Sequence, residues 1–199
     1  MIGLIDYGLG NINAFSNILK TLNVDFIIPN NKEQIKICNK FILPGVGAFD
    51  EAVLKIKKLE YFKEFEESIL LEKKDILGVC VGMQVFLNTS EEGSIDGLGW
   101  VNGSVRKFLP NKRIPHMGWN KIVVENKHNI LNNIENDEFY FLHSYYCEVK
   151  NSKKVCTYTN YFENFCSIFI DNNIYGIQFH PEKSHDSGKS LIKNFIFNK

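Results

Sequence analysis

The stretch Ile76-Leu77-Gly78-Val79-Cys80-Val81-Gly82-Met83-Gln84 decides the architecture. Lys73-Lys74-Asp75 precedes its apolar start, and Met83, Val85, Phe86 and Leu87 read as the beginning of a helix. Cys80 therefore stands at a strand-to-helix turn, with a glycine two residues before it and two after. Such a turn lifts a side chain clear of a sheet; it is the Gly-x-Ser-x-Gly elbow with sulfur in place of oxygen. A Cβ at either flank would collide with neighbouring elements. The turn also aims Cys80 at the first turn of the helix, where unpaired N–H groups stabilise a thiolate or an oxyanion. Taken alone, the pattern is equally a tight core turn, because free cysteine is among the most buried residue types. A nucleophile needs a base and an oxyanion site, and the rest of the chain has to supply them.

Upstream of the elbow, strands and helices alternate. Met1 to Ile5 reads as a buried strand, followed by the turn Asp6-Tyr7-Gly8-Leu9-Gly10-Asn11, in which Asn11 is a good N-cap. Ile12, Phe15, Leu19 and Leu22 recur at helical spacing. Val24 to Ile28 and Phe41 to Leu43 are strands closed by Pro29 and Pro44. Ala52, Val53 and Ile56, then Phe62, Phe65 and Ile69, mark two helices. This alternation implies a parallel sheet covered on both faces. Downstream, Glu91 to Gly103 is a glycine-rich loop. Strand-forming runs follow at Val101 to Phe108, Lys121 to Glu125, Phe139 to Val149, Val155 to Tyr161, Ser167 to Ile170 and Ile174 to Phe179. Tight turns such as Asp171-Asn172-Asn173 indicate antiparallel meanders. Ser187 is placed to cap a last helix carrying Leu191, Ile192, Phe195 and Ile196. The expected fold is α/β: a mostly parallel central sheet flanked by helices, with antiparallel strands in the second half, and one domain over residues 1–199.

Composition narrows the function classes. A formal net charge of zero argues against nucleic acid or an anionic membrane as partner. Five cysteines (Cys38, Cys80, Cys147, Cys156 and Cys166) without a C-x-x-C pair suggest neither a disulfide framework nor a zinc site. Asp6 interrupts the first apolar run and no basic segment precedes it, so a reducing cytosolic location without a signal peptide or membrane span is expected. His116, His128, His143 and His185 lack a metal-ligand pattern and receive no chemistry here; no metal or cofactor is expected.

Two further segments supply what Cys80 lacks. Gly176-Ile177-Gln178-Phe179-His180-Pro181-Glu182 puts His180 at the end of an apolar strand. Ligands of open parallel sheets bind outside the carboxyl ends of strands, so Cys80 and His180 are expected on one sheet edge. Glu182, two residues on across Pro181, can accept from one imidazole nitrogen and aim the other at sulfur. An isolated His-x-Glu is more often a surface turn; the upstream elbow reverses that balance. Pro44-Gly45-Val46-Gly47-Ala48-Phe49, also after a strand, can present backbone N–H groups to an oxyanion, with the Val81 N–H as a second donor.

With these motifs together, Gly-x-Cys-x-Gly-x-Gln and the distant Gln-Phe-His-Pro-Glu, the chain resembles the class I (triad) glutamine amidotransferases. Asp6-Tyr7-Gly8-Leu9-Gly10-Asn11, Pro44 to Phe49, Glu91-Glu92-Gly93, His116-Met117-Gly118-Trp119-Asn120, His143-Ser144-Tyr145-Tyr146 and His180-Pro181-Glu182-Lys183-Ser184 are similar to one branch, the glutaminase subunit of imidazole glycerol phosphate synthase. The resemblance covers nearly the whole chain; Val81 replaces a common leucine, where only the N–H is required.

The resemblance implies a single type 1 amidotransferase domain that hydrolyses glutamine, with Cys80, His180 and Glu182 as the triad. It implies an oxyanion hole of backbone groups at Val46, Gly47 and Val81, and substrate contacts from Gly45, Gln84, Ser144 and Tyr145. It further implies a heterodimer with a (β/α)8-barrel cyclase; Met117, Trp119 and Lys183 are the candidate contacts, with plain core a serious alternative for Trp119. Three other readings stay open on sequence: a paralogue feeding ammonia to another acceptor such as a nucleotide sugar, a catalytically silent regulatory subunit, and a cysteine hydrolase acting on peptides.

Overall fold

The computed structural model describes residues 1–109 and 113–197. The first half follows the alternation. Strands β1 (Ile2–Leu4), β2 (Phe26–Ile27), β3 (Lys40–Leu43) and β4 (Asp75–Val79) are joined through helices α1 (Ile12–Thr21), α2 (Lys32–Ile37), α3 (Phe49–Lys57) and α4 (Phe62–Leu70). Asn11 caps α1 by accepting from the Ala14 N–H. Helix α2 was not foreseen. Its signal was Asn31-x-x-Gln34: Asn31 accepts from the Gln34 N–H, and the Gln34 side chain reaches back to the Asn30 N–H, a variant of the capping box.

Helix α5 (Val81–Gln84) is a single turn, shorter than the run to Leu87 suggested. The carbonyls of Val85, Phe86 and Leu87 are taken by N–H groups of the loop at Leu98, Val101 and Gly99, which competes with helix propagation. The second half comprises β5 (Thr89–Ser90), β6 (Gly103–Lys107), β7 (His116–Lys121), β8 (Val123–Val124), β9 (Glu138–His143), β10 (Tyr145–Val149), β11 (Val155–Tyr161), β12 (Glu163–Asp171), β13 (Ile174–Ile177) and α6 (His185–Phe197). The segment expected as one strand from Phe139 to Val149 breaks at Ser144, where the chain leaves a small β7–β9 sheet for the main one. The expected strand at Lys121 to Glu125 divides at Ile122 between β7 and β8. Ser187 lies inside the first turn of α6 and does not cap it, because the helix already begins at His185.

Among the described residues the main sheet runs β2-β1-β3-β4-β13-β12-β10-β6-β5, with β11 and β8 branching from β12. Strands β2, β1, β3, β4 and β13 are parallel, and antiparallel pairing begins at β12. The late strand β13 thus returns to the β4 edge of the early parallel sheet, with Ile177 beside Val79. Aromatic side chains fill the core: Phe41 meets Phe65 edge-on at 5.2 Å, and Phe139 stacks on Phe179 at 4.1 Å. Such pairs contribute about 1 kcal/mol each beyond their buried area. No helix among the described residues is long and apolar enough to cross a membrane.

The elbow is built by close approach. A Cβ on Gly82 would sit 2.1 Å from the Leu43 carbonyl oxygen, and one on Gly78 would sit 2.4 Å from the Gly82 oxygen. Gly82→Ala is expected to cost about 3 kcal/mol, at the upper end for overpacking, because the obstacle is backbone and cannot yield. Urea denaturation of the variant measures it.

Candidate active site

Cys80 follows β4 with φ +54° and ψ −111°, a conformation that a non-glycine residue adopts only when its surroundings impose it. The imposing contacts are the Cys80 N–H bond to the Ile177 carbonyl (2.8 Å) and the close packing at Gly82. His180 follows β13, the neighbouring strand, and its own N–H bonds to the Tyr140 carbonyl at 2.8 Å. Its Nδ1 lies 2.9 Å from Glu182 Oε1, and both side chains are only 2% exposed. The Cys80 sulfur is the other group that acts on the ring. Burial alone would lower the imidazole pKa; the hydrogen bonds to Cys80 and Glu182 and the Coulombic attraction of both outweigh it and raise it to about 10. The two partners thus favour the protonated ring.

These groups open into a cavity of about 290 Å³. Cys80, Val81, Val46, Gly47, Gln84, Ser144, Tyr145, His180 and Lys183 all face it. Gly45 packs behind that wall: a Cβ there would sit 2.3 Å from the Gly82 nitrogen and 2.9 Å from the Tyr7 hydroxyl. As the first residue of α5, Val81 has an N–H without a carbonyl partner inside its own helix. Gly47 has φ +101°, which turns the loop backbone in a way that L side chains resist. A larger groove of about 710 Å³, bordered by Val123, Lys127, His128 and Glu135, is lined by no cysteine, serine or threonine.

Sequence reasoning did not single out three residues at or against this cavity. Glu92 lines the cavity, its pKa raised by burial and its Oε2 accepting from the Phe49 N–H at 2.9 Å. His143 also lines it and is held as a neutral ring. Burial, with the neighbouring His116 and His180, lowers its pKa to about 3, although its bond to Tyr145 opposes this. His116 behind it is lowered to about 4 by burial. The ring contacts run in one line: His143 Nδ1 to the Tyr145 carbonyl at 2.8 Å, His143 Nε2 to His116 Nδ1 at 3.0 Å, and His116 Nε2 to the Asn120 amide at 3.3 Å. A carbonyl only accepts, so each histidine carries its proton on Nδ1 and accepts at Nε2. Gln178, fully buried, is the third, with its amide 3.8 Å from the Cys80 sulfur. Only the His-x-x-x-Asn and His-Ser-Tyr spacings hinted at the first pair, and nothing local marked Gln178.

The residues expected at an interface lie outside this cavity or at its rim. Met117 and Trp119 are 61% and 45% exposed on β7, so Trp119 is not core. Its ring stacks on His185 at 5.1 Å and meets Tyr140 edge-on. The Lys183 ammonium lies over the other partner of that contact, the Tyr140 ring, at 5.8 Å.

Comparison with known proteins identifies the family. Residues 3–199 match the family model for glutamine amidotransferase class I. The chain is 45% identical to the imidazole glycerol phosphate synthase subunit HisH of Leptospira borgpetersenii, over 98% of each chain. It is 44% identical to the subunit HisH 2 of Methanococcus maripaludis, again over 98% of each. Among solved structures, PurLQS from Thermotoga maritima superposes with a TM-score of 0.73 at 16% identity, covering 98% of this chain and 96% of that one. The glutaminase domain of Trypanosoma brucei CTPS superposes with a TM-score of 0.66 at 15% identity, over 100% and 94%. These two likenesses speak for the fold alone. The chain belongs to the class I glutamine amidotransferases and, within them, to the HisH subunits of imidazole glycerol phosphate synthase.

Glu182→Gln removes one of the groups that raise the His180 pKa, so the ring's titration should move down from about 10. The imidazolium is then lost at lower pH, which a histidine-resolved NMR titration reads directly.

Proposed function

We propose that the chain, as one domain over residues 1–199, is the glutaminase half of a two-protein synthase. In this reading it hydrolyses glutamine to glutamate and ammonia and passes the ammonia to a cyclase partner that makes imidazole glycerol phosphate and an aminoimidazole carboxamide ribotide. The observation that carries this is Cys80 at positive φ beside the His180–Glu182 pair, at the mouth of a cavity of amino-acid size.

The sulfur attacks the side-chain amide carbon, and the adjacent imidazolium favours its thiolate form. Charge moving to the carbonyl oxygen is received by the Val81 N–H and by an N–H of the Val46-Gly47 loop. Each such donor contributes roughly 3 kcal/mol to the barrier reduction. His180 protonates the departing nitrogen, releasing ammonia and leaving a thioester; it then takes a proton from water as that water attacks the thioester. Glu182 orients the ring throughout. Gln84, Ser144 and Tyr145 line the substrate cavity, and Glu92 offers the α-ammonium of glutamine an anionic partner. Gly45 acts by letting the oxyanion loop approach the elbow.

Ammonia released into water would protonate and be lost, which supports a partner seated over this cavity. The exposed face of Met117, Trp119 and Lys183 adjoins its rim, since Lys183 belongs both to the cavity and to the Trp119–Tyr140 cluster. A (β/α)8-barrel cyclase in a heterodimer is the proposed occupant.

Cys80→Ala should abolish glutamine-dependent synthesis by the assembled enzyme while ammonia-dependent synthesis by the partner persists. Retained glutamine use would refute the nucleophile. Trp119→Ala should weaken cyclase binding by about 2 kcal/mol or more, the scale of an interface hot spot. A titration calorimetry experiment against the cyclase checks this, and unchanged affinity would remove Trp119 from the interface.

A further inference from the structure

A chain of side-chain amides ends on the nucleophile. Gln84 Nε2 donates to the Tyr145 carbonyl at 3.0 Å and to Gln178 Oε1 at 3.2 Å. Gln178 Nε2 in turn lies 3.8 Å from the Cys80 sulfur. The orientation of each amide is forced. The Tyr145 carbonyl can only accept, so Gln84 must turn its nitrogen toward it. That same nitrogen reaches Gln178, which must answer with its oxygen. The Gln178 nitrogen then has only the sulfur side left to face. The Tyr145 carbonyl is itself held from the other direction by the His143 ring, so the first link is anchored twice.

Gln178 sits between the strand β13 and His180, is fully buried, and has its backbone N–H bonded to the Ser167 carbonyl. Burying a primary amide costs several hydrogen bonds unless each is replaced, and an apolar side chain would fill the place at lower cost. Its retention beside the sulfur calls for a use. The Leu142 carbonyl lies on the sulfur at 3.9 Å. It can accept from a neutral thiol but repels an anion. Gln178 has the opposite preference, because its N–H bond strengthens when the acceptor is charged.

Resting on the reading of Cys80 as nucleophile, we propose that Gln178 is a catalytic residue that donates a second hydrogen bond, besides that of His180, to the Cys80 thiolate, with Gln84 as the positioning residue that keeps its nitrogen toward the sulfur. The pair stabilises the attacking form and directs it away from the Leu142 carbonyl. On acylation the charge leaves the sulfur, the Gln178 bond weakens, and no proton is transferred along the amides.

The test is alkylation of Cys80 by iodoacetamide in the full-length chain, followed by mass spectrometry of the Cys80 peptide so that the other four cysteines do not interfere. The other titratable groups acting on this sulfur are His180 with Glu182 beyond β13, Tyr7 after β1 and Cys147 on β10. All are unchanged in the variants. Gln178→Met keeps the shape and removes the donor. A hydrogen bond to a charged acceptor corresponds to a factor of roughly ten to a hundred, so alkylation at pH 6 should fall at least about tenfold while the rate at pH 10 stays the same. In the assembled enzyme kcat should fall by a similar factor with the KM for glutamine little changed. An unchanged alkylation profile with only a raised KM would mean that Gln178 merely supports the pocket wall, and would overturn the proposal. If Gln178→Met does not fold, Gln84→Met decides: it leaves Gln178 in place but free to turn its oxygen to the sulfur. Slower alkylation at pH 6 supports the chain of amides, and an unchanged rate overturns it. Failure of the nucleophile reading is distinct, because it appears as glutamine use surviving Cys80→Ala.

Discussion

The active site depends on one pairing: β13 lies parallel to β4, with Ile177 beside Val79 and the Cys80 N–H bonded to the Ile177 carbonyl at 2.8 Å. Parallel neighbours end at the same edge of a sheet, so whatever follows each strand meets there. Cys80 follows one and His180 the other, although about a hundred residues separate them. The strands between them are an excursion that leaves the parallel sheet and returns to extend it at its β4 edge. The pairing also imposes the conformation of Cys80, since its N–H is bonded to the neighbouring strand while α5 begins at the next residue.

Two histidines within this small volume are driven in opposite directions. His180 is buried but faces a carboxylate and a sulfur, and its pKa rises to about 10. His143 is buried against a carbonyl and another histidine, and its pKa falls to about 3. Desolvation acts alike on both; the partners decide the sign. The outcome separates the two rings. His180 is held toward its protonated form, whereas the neutral His143 holds the Tyr145 carbonyl and, through His116 and Asn120, ties the cavity wall to β7. The outer face of β7 carries Met117 and Trp119, so a buried polar line joins the exposed patch to the pocket.

The parts of the fold legible in sequence were those set by local patterns. The alternation of apolar runs and amphipathic helices located β1 to β4 and helices α1, α3 and α4, and the Asn172-Asn173 turn located the β12–β13 hairpin. The departures came where a remote segment took over backbone groups. The helix after Cys80 stops at Gln84 because a loop more than ten residues later bonds its next carbonyls. The strand through Ser144 divides because its two halves belong to different sheets. Neither competitor is visible from the residues themselves.

The sequence by itself determined the elbow, the histidine and carboxylate two residues apart, the glycine loop and the family, because each depends on residue types at fixed short spacings. Only the tertiary structure decided that these meet across a parallel pair of strands, that Trp119 is an exposed ring and not core, that Glu92 and His143 line the cavity, and that Gln178 lies against the Cys80 sulfur. The physical reason is that a side chain's role there is set by its partners. A buried glutamine is an inert core amide or a donor to sulfur according to what its oxygen is forced to face, and that is fixed by Gln84 and Tyr145, distant in sequence.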